Sequence, residues 1–376
     1  MKFTVNAKDA SSKARCGTLS TAHNSFCTPV FMPVATQATV KGIDSGDLRS
    51  LGIDMLISNA YHLYLRPGEE VIKLSGGLHD FMGWGGSIAT DSGGFQVFSL
   101  AELNNIREEG VEFKSHLDGS RHFFTPENVL EFQLVLGSDI MMPLDECVRY
   151  PSEKKYVEDS VALTLRWLGR SKDLFTRKDT SSALFGIVQG GVYKDLRKVS
   201  AEGTAALGMD GYSIGGMAVG EPGELMYETV EYTAQLLPLD KIRYLMGVGT
   251  PPDILEAISS GVDMFDCVLP TRNGRNGQAF TSGGELNIKN ASYKEDSRPI
   301  DEGCKCPVCL EYSRSYIRHL FNTGEMNGPR LLSLHNIYFY AKLMELSRQA
   351  IKENRFSSFK NDFISKFNSK GKSQAD

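Results

Sequence analysis

Runs of consecutive apolar residues recur along the chain, and amphipathic stretches separate them. Continuous hydrophobicity is typical of strands that are buried on both faces, as in a parallel sheet covered by helices. The intervening stretches, for example residues 222–237 and 252–260, predict crossover helices. This alternation predicts an α/β fold, a (β/α)8 TIM-type barrel. Eight runs fit the strand pattern: residues 30–36, 54–59, 87–91, 139–145, 184–189, 212–216, 243–247 and 262–266.

Several predicted strands end in a polar residue or a glycine. Barrel enzymes carry their chemistry at the C-terminal ends of the strands, so we expect one site at this rim. The terminal residues are Asn59, Asp91, Asp145, Gln189, Gly216 and Asp266.

Two insertions interrupt the alternation. Residues 111–124 alternate and contain Asp118-Gly119, which predicts a hairpin, and Thr125-Pro126 then predicts a helix start. After the eighth strand comes a cysteine-rich segment, followed by a long helix predicted over residues 331–354. We therefore expect a barrel over residues 1–277, a zinc-binding subdomain inserted over 278–338, and a closing helix with a basic tail over 339–376.

Composition and charge limit the classes of protein. The chain has 376 residues, of which 41% are hydrophobic and 23% charged, enough for one large core plus an accessory module. The sequence has no signal-like apolar segment and no run of membrane-spanning length, so we expect a cytoplasmic protein without membrane contact. The net charge of −5 argues against a protein that coats nucleic acid, but it allows a local basic patch.

A cysteine cluster predicts a metal centre. Cys304, Cys306 and Cys309 are followed by His335, which together supply three thiolates and an imidazole. Four such ligands close a tetrahedral shell, so we expect one structural Zn²⁺ per chain. Spacing alone leaves His319 as a rival fourth ligand, and three unligated thiols as the alternative to a metal.

Two aspartates are candidates for catalysis. Asp91 precedes Ser92, Gly93, Gly94 and Phe95, in which glycines allow backbone to approach a ligand and the aromatic ring offers a stacking face. Asp266 ends the eighth strand, close to the third in a barrel. Paired carboxylates can divide acid/base and nucleophilic roles, as in retaining glycoside chemistry. Either aspartate alone can instead stabilise a turn.

Other polar groups of the rim suit a flat base and a polyanion. Asp145, Gln189 and the amides of Gly215-Gly216 can read the donors and acceptors of a heterocycle such as guanine, or can be ordinary strand-end polar groups. After Asp266, the segment with Arg272 and Arg275 is predicted to be a flexible, glycine-rich loop that binds phosphates.

These residues resemble the bacterial tRNA-guanine transglycosylase family, also called queuine tRNA-ribosyltransferase, over essentially the whole chain. The similarity lies in Ser58 to Leu63 and in the cysteines with His335, and also in residues 90–96, 145–147, 186–191, 215–221 and 265–277. It implies a homodimeric, zinc-bearing barrel enzyme, a pentosyltransferase acting on tRNAs with a wobble guanine (those for Asp, Asn, His and Tyr). In such tRNAs the guanine is replaced by a 7-deazaguanine during queuosine biosynthesis.

The resemblance also implies residue roles. Asp266 becomes the nucleophile on ribose C1′, Asp91 the acid/base, and Phe95 and Met246 sandwich the base. The implied substrate-binding residues are Ser92, Gly93, Gly94, Phe95, Asp145, Gln189, Gly216, Met217 and Met246. The implied RNA-binding residues are Gly247, Val248, Gly249, Thr250, Pro251, Pro252, Asp253, Thr271, Arg272, Asn273, Gly274 and Arg275.

The identity of the incoming base is less sharply implied. Cys147 and Val219 resemble the bacterial pattern for 7-aminomethyl-7-deazaguanine, whereas the queuine-using pocket has Gly in place of Val219. Two other hypotheses are a glycosidase acting on sugars and an inactive RNA-binding subunit. The presence of only two Trp disfavours the first, and retention of both Asp91 and Asp266 disfavours the second.

Overall fold

A parallel eight-stranded barrel forms the centre of the protein in the computed structural model, which describes residues 1–100 and 104–369. Strands that follow one another in sequence are neighbours in the sheet, and a parallel bridge between Val34 and Ile57 joins the second strand to the first. All eight predicted strands are confirmed, although the fourth is short. In chain order they are Val30–Pro33, Met55–Asn59, Ser87–Asp91, Ile140–Met141, Ala183–Val188, Gly211–Ile214, Ile242–Leu245 and Met264–Cys267.

Helices connect the strands and cover the barrel, as the amphipathic stretches predict. The helix after Thr125 begins with the expected cap, because the Thr125 side chain accepts a hydrogen bond from the amide of Asn128 at 3.1 Å. The helices span Ser45–Ser50, Ala60–Leu65, Glu69–Leu74, Leu78–Met82, Gly94–Leu100, Pro126–Leu136, Lys154–Phe175, Lys194–Ala206, Gly223–Leu236, Pro251–Ser259, Leu269–Asn276, Pro307–Glu311, Arg314–Asn322, Asn327–Lys352 and Phe356–Ser369, with a 3-10 turn at Ala291–Tyr293. In the described part of the chain, no helix is long and apolar enough to span a bilayer.

Buried side chains of the strands hold the rim rigidly. Met55, Ile57, Phe185, Ile187 and Met264 belong to one cluster, and each is at most 4% exposed. Burying a side chain of this size contributes roughly 1.5–3 kcal/mol. The strand ends that carry the polar residues therefore project from a well-packed core.

An antiparallel sheet of Lys2–Lys8, Arg15–Ser20 and Ser25–Thr28 covers the N-terminal end of the barrel. Its Arg15 guanidinium donates to both carboxylate oxygens of buried Asp263, at 2.9 and 2.6 Å. Its His23 Nδ1 lies 2.8 Å from the Asp139 carboxylate. We did not predict this sheet, because the apolar runs of the barrel dominate the sequence pattern.

The insertion between the third and fourth strands is a small sheet. Val111–Lys114 pairs with Arg121–Phe124 as the predicted hairpin, and Asn104–Ile106 adds a third antiparallel strand. The hydroxyl of Tyr61 lies 2.8 Å from His116 Nδ1 in this insertion, which ties the sheet to the helix after the second barrel strand.

The segment after the eighth barrel strand is a helix, Leu269–Asn276, and the predicted flexible loop is wrong. Pro270 lies in its first turn, where a missing amide hydrogen costs nothing. Gly274 serves close packing: a Cβ there would lie 2.7 Å from Ser333 Oγ and 2.8 Å from Ser333 Cα, on helix Asn327–Lys352. Glycine at this position therefore allows two helices to approach and is not a sign of flexibility.

The C-terminal region contains the predicted cysteine-rich insertion. A hairpin of Gln278–Thr281 and Gly284–Asn287 precedes it, and the long helix Asn327–Lys352 follows. This helix begins four residues before the predicted start at residue 331. The predicted subdomain boundary after residue 338 therefore lies inside the helix and not between two elements. Of the predicted basic tail, Lys370 and Lys372 lie outside the described residues.

Candidate active site and metal centre

A cavity of about 410 Å³ opens at the C-terminal ends of the barrel strands. It brings together every residue predicted to be catalytic or to bind substrate, and it also contains two of the predicted RNA-binding residues, Gly247 and Arg272. The lining residues from the first group are Asp91, Ser92, Gly93, Gly94, Phe95, Asp145, Gln189, Gly216, Met217, Met246 and Asp266.

Asp91 ends the third barrel strand and is held by its neighbours. One carboxylate oxygen accepts a hydrogen bond from the Asn59 side-chain amide at 2.6 Å, and the other accepts from the backbone of Ala60 and Gly93, each at 3.2 Å. The pKa of Asp91 is raised to about 7, mainly by burial. The nearby Asp266 carboxylate also raises this pKa, whereas the three donors lower it. Near neutral pH, Asp91 can therefore both donate and accept a proton.

Asp266 lies on the eighth strand and faces the same cavity. Its Oδ1 accepts hydrogen bonds from the Tyr244 hydroxyl at 2.5 Å and from the Gly247 amide at 2.8 Å. Burial raises the pKa of Asp266, while these two donors lower it because they favour the ionised carboxylate. Both bonds hold one oxygen, so the carboxylate is oriented by a rigid strand residue and a loop amide.

A carboxylate and an amide form one wall of the cavity. Gln189 Nε2 donates to Asp145 Oδ2 at 2.7 Å, and both side chains are buried. Burial raises the pKa of Asp145 to about 6, against the lowering effect of the Gln189 bond. At neutral pH Asp145 is therefore mainly an acceptor, which matches a ligand edge that carries adjacent N–H groups.

Two glycines bring backbone against Gln189. A Cβ on Gly215 would lie 2.7 Å from Gln189 Nε2, and a Cβ on Gly216 would lie 2.4 Å from Gln189 Oε1. Gly216 also has a φ of +67°, which L side chains rarely adopt. The wall therefore requires glycine at these positions.

Apolar side chains provide flat faces around this polar wall. Phe95 is 51% exposed, which is unusual for a large aromatic residue in a cavity. Met217 is buried and Met246 is partly buried, and both line the cavity. A planar heterocycle fits such a combination of apolar faces and a polar edge.

The predicted RNA-binding residues fall into two groups. Arg272 and Arg275 are exposed on helix Leu269–Asn276, and Arg272 lines the mouth of the cavity. In the same helix Thr271 and Gly274 are buried and Asn273 is partly buried. In the second stretch Gly247 is exposed, Thr250, Pro252 and Asp253 are partly buried, and Val248, Gly249 and Pro251 are buried.

The predicted metal ligands converge at a second site. Nδ1 of His335 lies 3.8, 3.5 and 3.3 Å from the sulfur atoms of Cys304, Cys306 and Cys309. Zinc bonds of about 2.3 Å to sulfur and 2.0–2.1 Å to nitrogen place such atoms roughly 3.6 Å apart in a tetrahedron. These four residues therefore fit a metal ion, whereas His319 is exposed outside this cluster.

His335 is prepared for ligation by its other nitrogen. Its Nε2 lies 2.8 Å from the carbonyl oxygen of Phe280, so a proton on Nε2 leaves the Nδ1 lone pair directed at the sulfur atoms. The ring is fully buried. With four protein ligands, the centre has no open position for substrate, which is typical of a structural site.

Three supporting residues escaped the sequence analysis. Asn59 was noted only as a strand end, and Tyr244 lies within an apolar strand run, where no pattern separates it from a core residue. Arg197 lies on helix Lys194–Ala206, and its guanidinium donates to backbone carbonyls next to the cavity. Their roles depend on contacts between distant segments, which spacing along the chain does not reveal.

The geometry supports a defined chemistry. A carboxylate oriented by two donors, a second carboxylate that titrates near neutrality and a base-sized polar wall occupy one cavity. This combination suits nucleophilic substitution at a carbon that carries a heterocyclic leaving group, with acid/base assistance.

Comparisons with known proteins agree with this chemistry. The model of the family described as queuine tRNA-ribosyltransferase matches residues 9–369. A protein named queuine tRNA-ribosyltransferase from Caldanaerobacter subterraneus subsp. tengcongensis is 54% identical over 367 residues, which cover 98% of each chain. Proteins of the same name from Thermoanaerobacter sp. and Acetivibrio thermocellus are 53% and 51% identical, again over 98% of each chain.

Proposed function

Because the chain belongs to the queuine tRNA-ribosyltransferase family, we propose that it exchanges guanine at the anticodon wobble position of tRNA for a 7-deazaguanine in queuosine biosynthesis. The observation that carries this proposal is the single cavity that contains both Asp91 and Asp266 beside the Asp145–Gln189 wall. Because the proposed substrate is tRNA, we also propose that the enzyme acts in the cytoplasm.

The first half of the reaction breaks the glycosidic bond. A carboxylate oxygen of Asp266 forms a bond to ribose C1′ while the bond from C1′ to guanine N9 breaks. Protonated Asp91 gives its proton to the departing base, which would otherwise be a poor leaving group. The product is a covalent ester between the enzyme and the tRNA ribose.

The second half repeats these events in reverse with the new base. Ionised Asp91 takes the proton from N9 of the 7-deazaguanine, N9 bonds to C1′, and the bond to Asp266 breaks. Two inversions at C1′ give net retention. A pKa of about 7 for Asp91 supports this scheme, because both protonation states are populated near neutral pH.

Base recognition uses the polar wall. Guanine and 7-deazaguanines both present N1–H and an exocyclic amino group, and the Asp145 carboxylate can accept from both. Phe95 and Met246 supply the apolar faces. Cys147 and Val219 line the cavity, and we assign them to the 7-substituent, with 7-aminomethyl-7-deazaguanine as the preferred incoming base.

We assign contact with the anticodon loop to exposed groups around the mouth of the cavity. Arg272 carries positive charge there, and Arg275 lies three residues further along the same helix, in a protein of net charge −5. The wobble guanine has to leave its stack to enter the cavity. Phosphate contacts from both arginines would hold the neighbouring backbone while the base is extruded. We assign RNA contacts to the exposed and partly buried members of residues 247–253, and a positioning role to the buried ones.

The metal centre supports architecture rather than chemistry. We propose Zn²⁺ as the ion, because three thiolates and one imidazole with no open position are its usual structural shell. Cys304, Cys306, Cys309 and His335 would hold it, and bound zinc would join the cysteine-rich insertion to helix Asn327–Lys352. No step of base exchange passes through this site.

We also propose that the enzyme is a homodimer. Leu74 and Phe81 are 82% and 40% exposed on helices Glu69–Leu74 and Leu78–Met82, and Leu310 and Met326 are 66% and 88% exposed in the cysteine-rich region. Contiguous exposed apolar patches commonly mark association surfaces, and we propose that these side chains contribute to one. Sedimentation should give the mass of a dimer for the native protein and of a monomer for Leu74→Glu; a native monomer would contradict the assignment.

One assay tests the proposed function directly. Unmodified tRNA with a wobble guanine, incubated with the enzyme and radiolabelled guanine, should incorporate label into acid-insoluble RNA. A tRNA with adenine at that position is the matched control and should remain unlabelled. Absence of label in both RNAs would refute base exchange, and equal label in both would refute wobble-position specificity.

A further inference from the structure

Arg197 is a buried cation directly behind the base-binding wall. Its side chain is fully buried on helix Lys194–Ala206, and among the described residues it has no ion pair with a carboxylate. The carboxylate of Glu221, an acid near it, accepts hydrogen bonds from the amides of Ala218 and Val219 instead. Burial lowers the pKa of Arg197 to about 10, which still leaves it charged at neutral pH. A buried charge is costly, so backbone dipoles have to compensate it.

The carbonyl groups that compensate Arg197 belong to the two segments that form the wall. Its Nε donates to the carbonyl oxygen of Gly191 at 2.7 Å, and Nη1 donates to those of Val188 and Gly215, each at 2.9 Å. Val188 immediately precedes Gln189, and Gly215 immediately precedes Gly216. One planar guanidinium therefore links the ends of the fifth and sixth barrel strands.

The recognition groups are closely packed beside this link. Gln189 is already in close contact with Gly215 and Gly216, so little movement is possible between them. The third nitrogen of the guanidinium, Nη2, is buried without a hydrogen-bond partner among the described residues and lies 3.6 Å from the position of a Cβ on Gly216.

We propose that Arg197 is a positioning residue for base recognition, which sets the spacing between Gln189 and Gly216 and, through the Gln189 bond, the orientation of Asp145. This inference rests on the proposed base exchange and deepens it. Arg197 does not touch the reacting atoms, so its loss should affect binding of the free base more than turnover at saturating base.

The test is steady-state kinetics of guanine exchange with Arg197→Met and Arg197→Lys. For Arg197→Met we expect the KM for guanine to rise about tenfold or more, with kcat at saturating guanine and the KM for tRNA changed by less than about threefold. Arg197→Lys keeps the charge but lacks the forked donors, so we expect an intermediate KM for guanine.

Arg243→Met is the matched control. Arg243 is also a buried arginine with an unpartnered nitrogen, but it donates to the carbonyl of Leu237 at the N-terminal end of the barrel. It should lose stability without any change in the KM for guanine. An equal rise in that KM for Arg243→Met and Arg197→Met, or an unchanged KM in Arg197→Met, would overturn the positioning role.

The variants also separate this inference from the proposed function. If Arg197→Met does not fold, Arg197→Lys decides, and a native KM for guanine in that variant would overturn the inference. If the native enzyme exchanges guanine and both Arg197 variants have the native KM for guanine, only the positioning role is contradicted. A native enzyme without exchange contradicts the proposed function itself.

Discussion

Removal of the Asn59 amide should shift the pH dependence of catalysis in a known direction. Asn59 donates to the Asp91 carboxylate at 2.6 Å and therefore favours its ionised form. A hydrogen bond to a charged group contributes about 1.5–3 kcal/mol, and one pKa unit corresponds to 1.36 kcal/mol. Asn59→Val should thus raise the pKa of Asp91 by about 1–2 units from its value of about 7.

The assay is the pH profile of kcat/KM for tRNA, which reports the ionisation of the free enzyme. Release of guanine requires protonated Asp91, so kcat/KM should fall as pH rises through the pKa of Asp91. The midpoint of this alkaline limb should lie near pH 7 in the native enzyme and near pH 8–9 in Asn59→Val.

A control separates electrostatics from helix capping. The Asn59 side chain also accepts a hydrogen bond from the His62 amide and caps helix Ala60–Leu65. Thr125→Val removes a comparable cap from helix Pro126–Leu136, and since Thr125 is not among the donors to Asp91, this change should leave the alkaline midpoint unchanged. An unchanged or lower midpoint in Asn59→Val would refute the reasoning about Asp91.

Three further perturbations test other parts of the structure. Cys306→Ala should remove about one equivalent of zinc per chain, measured by elemental analysis, and should unfold the cysteine-rich insertion, because structural zinc contributes folding free energy; full zinc content would contradict the site. Arg272→Ala and Arg275→Ala should each flatten the slope of log Kd for tRNA against log salt by about 0.7–1. Lys366→Ala, in the exposed C-terminal helix, should leave this slope unchanged. A slope that changes only in Lys366→Ala would place the RNA surface on that helix. Burial raises the pKa of Asp139, but its contacts with His79 Nε2 at 3.3 Å and His23 Nδ1 at 2.8 Å, together with the Ile88 amide, outweigh burial and lower the pKa to about 2. That stabilisation, about 2 kcal/mol, is present above about pH 4 and is lost as the pH falls towards 2. In urea unfolding, the free energy of unfolding should therefore fall less on acidification for Asp139→Asn than for the native protein. An identical fall in both proteins would contradict the ion-pair account.

The barrel could be predicted because parallel strands buried on both faces leave a strong pattern. Residues 184–189, for instance, are apolar without interruption up to the polar strand end, and the strand is buried throughout. The polar strand ends of the site followed, since strand ends of one barrel meet at one rim, whereas Met217 and Met246 were implied only by the family resemblance. The cluster of cysteines with His335 could also be predicted from the sequence, because few arrangements other than a metal centre bring these residue types together.

What remained hidden depends on contacts between distant segments. The glycines after Asp266 indicate flexibility from sequence alone, whereas the packing of Gly274 against Ser333 shows why a helix has a glycine there. The hydroxyl of Tyr244 and the guanidinium of Arg197 contact partners that are 22 and 18 residues away along the chain. Propensity and spacing carry no information about such pairs.

The most direct test of the central claim is the detection of an ester between Asp266 and the tRNA ribose. The native enzyme, incubated with tRNA and a base analogue that reacts slowly in the second half-reaction, should give a complex that survives denaturing electrophoresis, and mass spectrometry of its peptides should locate the modification at Asp266. Asp266→Asn should give neither the complex nor guanine exchange while it still binds tRNA. A complex that persists in Asp266→Asn, or a modification found on another residue, would contradict the assignment of Asp266 as the nucleophile.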